Sequence, residues 1–89
     1  GDTTTDEEQR KDKVRVFLET KLSEIGYEGV QTEIRIGNTS SEIANYAQEI
    51  AADLIVMPSH GRTGANRFLI GSVAERVVRL SPCPVLILK

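Results

Sequence analysis

Apolar residues recur at helical spacing from Val14 through Phe17, Leu18 and Leu22 to Ile25, with charged residues between them. That period predicts a helix over 6–25. Thr5-Asp6-Glu7-Glu8 reads as a capping box at its start, a threonine followed three residues later by a carboxylate. Gly26 reads as its stop. From Val30 to Ile36 the period changes to two. Val30, Thr32, Ile34 and Ile36 face one way and Gln31, Glu33 and Arg35 the other, the pattern of a strand with one wet face at a sheet edge. Gly37-Asn38 turns the chain. Thr39-Ser40-Ser41-Glu42 reads as a second capping box. Ile43, Ala44, Ala47 and Ile50 then form the apolar stripe of a helix ending near Ala52. Leu54-Ile55-Val56-Met57 is apolar without alternation, which predicts a strand covered on both faces, as in a parallel sheet. A third helix is expected over Ser72–Leu80, with Ser72 as N-cap, Glu75 completing a capping box, and Val73, Val77 and Leu80 toward the core. Ser81-Pro82-Cys83-Pro84 breaks it, and Val85-Leu86-Ile87-Leu88 is a last buried strand. The order α-β-α-β-α-β, with short connections and no internal repeat, indicates a layered α/β fold. Residues 1–5 are a polar lead-in, read as disordered or linker, ahead of one domain over 6–89.

The segment Leu54 to Ser72, LIVMPSHGRTGANRFLIGS, carries the candidate chemistry. A buried strand leads into a turn of small and polar residues (Pro58–Gly64). A short apolar stretch, Ala65–Ile70, follows, and Gly71-Ser72 opens a helix. Strand, glycine loop and helix N-terminus in that order hold phosphate in many α/β proteins. The glycines permit close backbone approach, and the helix end offers N–H groups with partial positive charge. On residue types alone, a βα crossover whose glycines only make turns fits equally well.

Charge sharpens this picture. The 89 residues carry a net charge of −2, but unevenly. Residues 1–53 hold 6 Lys/Arg against 12 Asp/Glu, a net of −6, and residues 54–89 hold 5 against 1, a net of +4. A basic half around the glycine loop suits an anionic ligand. It does not suit nucleic acid, because there is no basic run and aromatic residues make up only 4% of the chain, too few for a base-stacking platform. Arg76 and Arg79 read as a solvated helix face. The one cysteine, Cys83, excludes an internal disulfide framework and points to a reducing cytoplasm; between two prolines it reads as a small structural hydrophobe. No segment is apolar over a length that spans a membrane, and no signal peptide is read at the start.

From Gly37 onward the chain resembles the C-terminal half of a universal stress protein. The resemblance is carried by Ala52-Asp53-Leu54-Ile55-Val56-Met57, Ser59-His60-Gly61-Arg62-Thr63-Gly64, Gly71-Ser72-Val73-Ala74-Glu75-Arg76-Val77 and Cys83-Pro84-Val85-Leu86-Ile87. It implies a three-layer, Rossmann-like (UspA-like) parallel sheet of strand order 3-2-1-4-5, here incomplete. It also implies binding of ATP or a related adenine nucleotide, with Mg²⁺ or Mn²⁺, in one branch of the family and none in the other. The binding branch places Gly-x2-Gly-x9-Gly-Ser/Thr around the phosphates. The matching positions here are Pro58, Gly61, Gly71 and Ser72. The spacing is kept, but proline replaces the first glycine and has no N–H to offer. The nucleotide-binding set implied by the resemblance is Met57, Pro58, Ser59, His60, Gly61, Arg62, Gly71, Ser72 and Val73. No catalytic residue or protein metal ligand is among them. His60 has no carboxylate or nucleophile near it in the sequence, so a positioning or hydrogen-bonding role is assigned to it.

Such proteins usually begin with a strand bearing an Asp that contacts the nucleoside, then a helix and a second strand. None of these is read here, so the chain is expected to start in the family's second helix and to leave a gap in the sheet. Unpaired strand edges favour association. A homodimer or higher assembly is therefore expected, either supplying the missing pairing or joining through the last strand, Val85, Leu86, Ile87 and Leu88. Three functions follow as expectations. These are a stress-response ATP-binding domain using Gly61 and Gly71-Ser72, a dimerisation module that binds no nucleotide, and a regulatory domain of a larger protein. An enzyme is the weakest reading. There is no Ser/His/Asp spacing, no paired acid in the loop and no thiol beside a base, and any slow ATP hydrolysis would be incidental.

Overall fold

A computed structural model of the chain describes residues 3–60 and 70–89, with side chains from residue 6 onward. In chain order the elements are α1 (Thr3–Glu24), α2 (Thr39–Glu49), β1 (Ile55–Pro58), α3 (Ser72–Leu80) and β2 (Val85–Leu88). They fall into two compact units, residues 1–35 and 36–89.

The first unit is built on α1. It extends back to Thr3, so Thr5 lies inside the helix rather than at its cap, and Thr3–Thr5 are helical where a polar lead-in was expected. Leu18 and Leu22 are half-buried, while Val14 and Phe17 of the same expected stripe are exposed. Ion pairs lie along the helix surface, Arg15 to Asp12 at 2.9 Å and Lys21 to Glu24 at 3.5 Å. The Lys21 ammonium also lies 5.6 Å from the centre of the Phe17 ring. Exposed pairs of this kind contribute a few tenths of a kcal/mol each. The helix ends as the sequence predicts. Gly26 takes φ +85°, and the N–H groups of Gly26 and Tyr27 donate to the carbonyls of Ser23 and Leu22 at 3.1 and 2.9 Å. This closing pair of bonds needs a left-handed residue, which glycine adopts without a Cβ penalty.

The strand expected over Val30–Ile36 does not form. Its alternation is intact, but a strand also needs a neighbour for its N–H and C=O groups, and the sheet contains only β1 and β2 among the described residues. Alternation records which side of a segment is apolar and carries no information about a pairing partner.

In the second unit, Asn38 rather than Thr39 caps α2. Its Oδ1 accepts hydrogen bonds from the Ser41 N–H at 3.1 Å and the Ser40 hydroxyl at 2.9 Å. Asparagine at this position satisfies one of the orphan donors of the first turn, and the buried Ser40 hydroxyl has its partner there. Ser40, Ala44 and Ala47 form the buried face of α2, and these small residues allow α2 and α3 to lie close together. The helix stops at Glu49, before Ala52, with Ile50 as its cap. Ala51 adopts φ +52°, and the Ala52 N–H reaches back to the Ala47 carbonyl at 2.9 Å. An alanine in that conformation costs about 1–2 kcal/mol relative to right-handed backbone.

β1 and β2 pair in parallel, with Ile55 opposite Val85, Val56 opposite Leu86, Met57 opposite Ile87 and Pro58 opposite Leu88. Bonds from Ile55 N–H to Pro84 O (3.0 Å) and from Ser59 N–H to Leu88 O (2.8 Å) close the ladder at its two ends. Leu54–Met57 was expected to be covered on both faces, and Val85–Leu88 to be a buried strand. Instead burial alternates along each. Ile55, Met57, Val85 and Ile87 are half-buried, whereas Val56 (54% exposed), Leu86 (50%) and Leu88 (49%) face outward. Within the second unit the helices form one layer, α3 against β2 and α2 against α3, and one layer covers one face of a sheet.

Among the described residues, the buried core of this unit is Ala44, Ala47, Ala74 and Val77, with Ser40. Of the residues expected on the inner side of α3, Val77 is fully buried, whereas Val73 and Leu80 are exposed. Val77 lies at the middle of the helix Ser72–Leu80, and Val73 and Leu80 near its two ends. Ser81 ends it. Its N–H bonds Val77 O at 2.8 Å, and its hydroxyl donates to Cys83 O while accepting from the Cys83 N–H, which shapes the turn between the prolines. Cys83 is a free, half-buried thiol.

In a close-packed interior each buried methyl counts. Val77 is 0% exposed and Val78, the next residue on α3, is 50% exposed. Val77→Ala is expected to lower stability by about 2 kcal/mol, and Val78→Ala by under about 0.5 kcal/mol. Urea unfolding curves of the two variants check this; equal losses would contradict the packing of α3.

Candidate functional site

The end of β1 and the start of α3 meet at one backbone contact. The Gly71 N–H donates to the Ser59 carbonyl at 2.7 Å. On its other side the Ser59 N–H donates to Leu88 O of β2 at 2.8 Å. The peptide groups of Ser59 are thus bonded to both neighbouring elements, and this residue ties β1, β2 and α3 together.

Gly71 is required here by space, since its φ of −65° is one that any residue adopts. A Cβ at this position would lie 2.8 Å from the Ser59 carbonyl oxygen and 3.5 Å from His60 Cα and Cδ2. The first distance is shorter than a carbon and an oxygen tolerate. Only a residue without a side chain brings the two backbones into hydrogen-bonding range.

Gly71, not Ser72, is the N-cap of α3, and it contributes no capping side chain. Ser72 is the first helical residue, and Glu75 bonds Arg79 at 2.8 Å instead of returning to the cap. The earliest N–H groups of a helix have no partner within the helix. A glycine cap leaves them uncovered by a side-chain oxygen, at the end carrying the positive pole of the helix dipole. Arg76 and Arg79 are exposed, and Arg79 pairs along the helix with Glu75, as a solvated face requires.

Met57, Pro58, Ser59 and His60 therefore stand at the end of β1, and Gly71, Ser72 and Val73 at the start of α3, joined by the Ser59–Gly71 bond. Pro58 closes β1 opposite Leu88. Gly61 and Arg62 lie outside the described residues. Sequence reasoning missed the partner of His60. The Ser59 hydroxyl lies 3.0 Å from His60 Nδ1. The signal was the adjacency of the two residues, but neighbours in an extended strand point to opposite faces, and the contact forms because β1 has ended at Pro58. Among the described residues, no group of three or more His, Cys, Asp or Glu is placed to hold a metal ion. No helix among them is long and apolar enough to cross a membrane.

A strand running into a glycine-capped helix N-terminus, with the intervening glycine motif kept in spacing, agrees with the comparison to known proteins. The model of the universal stress protein family matches residues 1–89. The chain belongs to the universal stress protein family. It is similar to Universal stress protein MJ0531 of Methanocaldococcus jannaschii, 48% identical over 60 residues, covering 67% of this chain and 35% of that protein. It is also similar to Universal stress protein MJ0577 of the same organism, 35% identical over 82 residues, with 92% and 49% covered. Universal stress protein YxiE of Bacillus subtilis is 37% identical over 84 residues, with 92% and 56% covered. The chain thus spans from about a third to just over half of the length of these relatives. Its fold is the α/β fold of universal stress proteins, seen among the described residues as three helices and a parallel pair of strands.

The tight Gly71–Ser59 approach has a direct consequence. Gly71→Ala is expected to force the two backbones apart and to lower stability by about 1–3 kcal/mol, the range for overpacking. Ser72→Ala, at an exposed position beyond the cap, is expected to change stability by under about 0.5 kcal/mol. Thermal unfolding of both variants distinguishes a spatial requirement at residue 71 from a general sensitivity of this helix end.

Proposed function

We propose that this universal stress domain binds ATP or a related adenine nucleotide in a stress-response role, with the phosphates at the start of α3. The observation that carries the reading is the Ser59–Gly71 bond. It sets the end of β1 against a helix N-terminus whose cap has no side chain, the arrangement in which backbone N–H groups receive phosphate oxygens. The net charge of +4 over residues 54–89 favours the same class of ligand. Gly61, the Ser72 hydroxyl and the Val73 N–H are the groups assigned to the phosphates, and Arg62 to their charge; the Gly71 N–H is engaged by Ser59 O, so Gly71 serves by its lack of a side chain. A divalent ion, Mg²⁺ or Mn²⁺, would be held mainly through the phosphates and water, as these ions are in many nucleotide sites. Pro58 offers no N–H, so the affinity of this chain is expected to be modest. The role is binding rather than catalysis, in a reducing cytoplasm consistent with a single free thiol.

Calorimetric titration of ATP with Mg²⁺ into the chain tests this. Binding is expected in the wild type, with a loss of at least about tenfold in the Gly61→Val, Ser72→Val variant, equivalent to about 1.4 kcal/mol. A wild type that takes up no nucleotide, or a variant that binds equally, rejects the reading.

A second reading rests on a different observation. β2 has β1 as its only strand neighbour among the described residues, and Leu86 and Leu88 are half exposed on it. An unpaired edge beside an apolar face favours strand addition from another copy. Under this reading the domain is a homodimerisation or regulatory module, joined through Val85–Leu88. Leu86→Lys with Leu88→Lys is then expected to shift the sedimenting species to monomer, with nucleotide binding retained. An assembly unchanged by these charges would exclude β2 as its interface.

A further inference from the structure

His60 is the one histidine of the chain. A neutral imidazole carries its proton on one ring nitrogen, and the bond made by the other nitrogen decides which. Here Nδ1 lies 3.0 Å from the Ser59 hydroxyl oxygen, in a half-buried setting. Ser59 is well placed to hold that bond. Its N–H is engaged by Leu88 O at 2.8 Å and its C=O by the Gly71 N–H at 2.7 Å, so the root of the side chain is set by β2 and α3. Among the described residues the Ser59 hydroxyl bonds His60 Nδ1, which accepts the hydroxyl proton when that nitrogen is unprotonated. The opposite edge of the ring faces the helix. Cδ2, the carbon bonded to Nε2, lies 3.5 Å from where a Cβ on Gly71 would stand.

We infer that the Ser59 hydroxyl donates to His60 Nδ1 and holds the neutral ring with its proton on Nε2, so that His60 presents a hydrogen-bond donor beside the glycine-capped end of α3. Ser59 is thereby a positioning residue, acting through His60. A donor at Nε2 selects for an acceptor, such as a phosphate oxygen, and needs no charge on the ring to do so. An Nδ1–H ring would present an acceptor there and repel the same group. This consequence rests on the nucleotide reading above; the proton placement does not.

The test is a multiple-bond ¹H–¹⁵N correlation spectrum of the ¹⁵N-labelled chain at alkaline pH, without ligand. A single histidine leaves no ambiguity of assignment. The wild type is expected to show the Nε2–H pattern. Ser59→Ala, which keeps both backbone bonds, is expected to bring the two nitrogen shifts toward each other as the tautomers exchange. Ser59→Thr, which restores a hydroxyl, is expected to return the wild-type pattern. A protonated Nδ1 in the wild type overturns the inference, as does a Ser59→Ala spectrum identical to wild type. Should Ser59→Ala fail to fold, Ser59→Gly removes the hydroxyl in its place, and the same two outcomes decide. The ATP titration judges the nucleotide reading separately, so the two can fail independently.

Discussion

The hydrogen bond from the Gly71 N–H to the Ser59 carbonyl is the constraint on which the rest of the second unit depends. It draws the exit of β1 to the entrance of α3, and through the second bond of Ser59, to Leu88, it aligns both with the last strand. A neutral backbone bond contributes only about 1 kcal/mol in isolation. Its larger effect is geometric. With β1 and α3 fixed at this point, Val77 and Ala74 are held at the buried interface, where α3 meets α2 and β2. The absence of a side chain at Gly71 makes the approach possible, so packing and the candidate site share one requirement.

The same requirement explains why structure and chemistry coincide at this corner. A helix that must come within hydrogen-bonding distance of a strand end uses a glycine cap, and a glycine cap leaves the first-turn N–H groups uncovered. The feature that lets the domain pack is therefore also the feature that suits an anion. The rest of the domain is modest. Among the described residues its core is mostly alanine, its sheet has two strands, and the outward residues Val56, Leu86 and Leu88 are only half covered. Such a unit has little stability in reserve. A corner secured by two backbone bonds and one close contact then carries more of the organisation than it would in a larger domain.

Much of this was legible in the residues themselves, and in a physically ordered way. Three helices, two parallel strands and the turn at Gly26 follow from periodicity and from glycine's tolerance of positive φ, which are local properties. The matched blocks around Gly61 and Gly71-Ser72 carried the family. Capping was read less well. Three Ser/Thr boxes were expected, and where the described residues show a cap, an asparagine and a glycine stand there instead, each one residue earlier. Ser and Thr followed by Glu mark the neighbourhood of a helix start, but the exact cap depends on where the preceding segment enters.

The sequence alone therefore determined what each segment is: its period, its breakers, its charge and its kinship. Only the tertiary structure decided what each segment meets. Val30–Ile36 has every local mark of a strand and forms none, because pairing is a property of two segments. Val56 and Leu86 look as buried as Ile55 and Val85, and are not, because helices cover one face. Ser59 and His60 are neighbours in any reading, yet their hydrogen bond forms only where β1 gives way to a turn secured by Leu88 and Gly71. Local propensity is written in the order of residues; contact requires the whole chain to have closed around it.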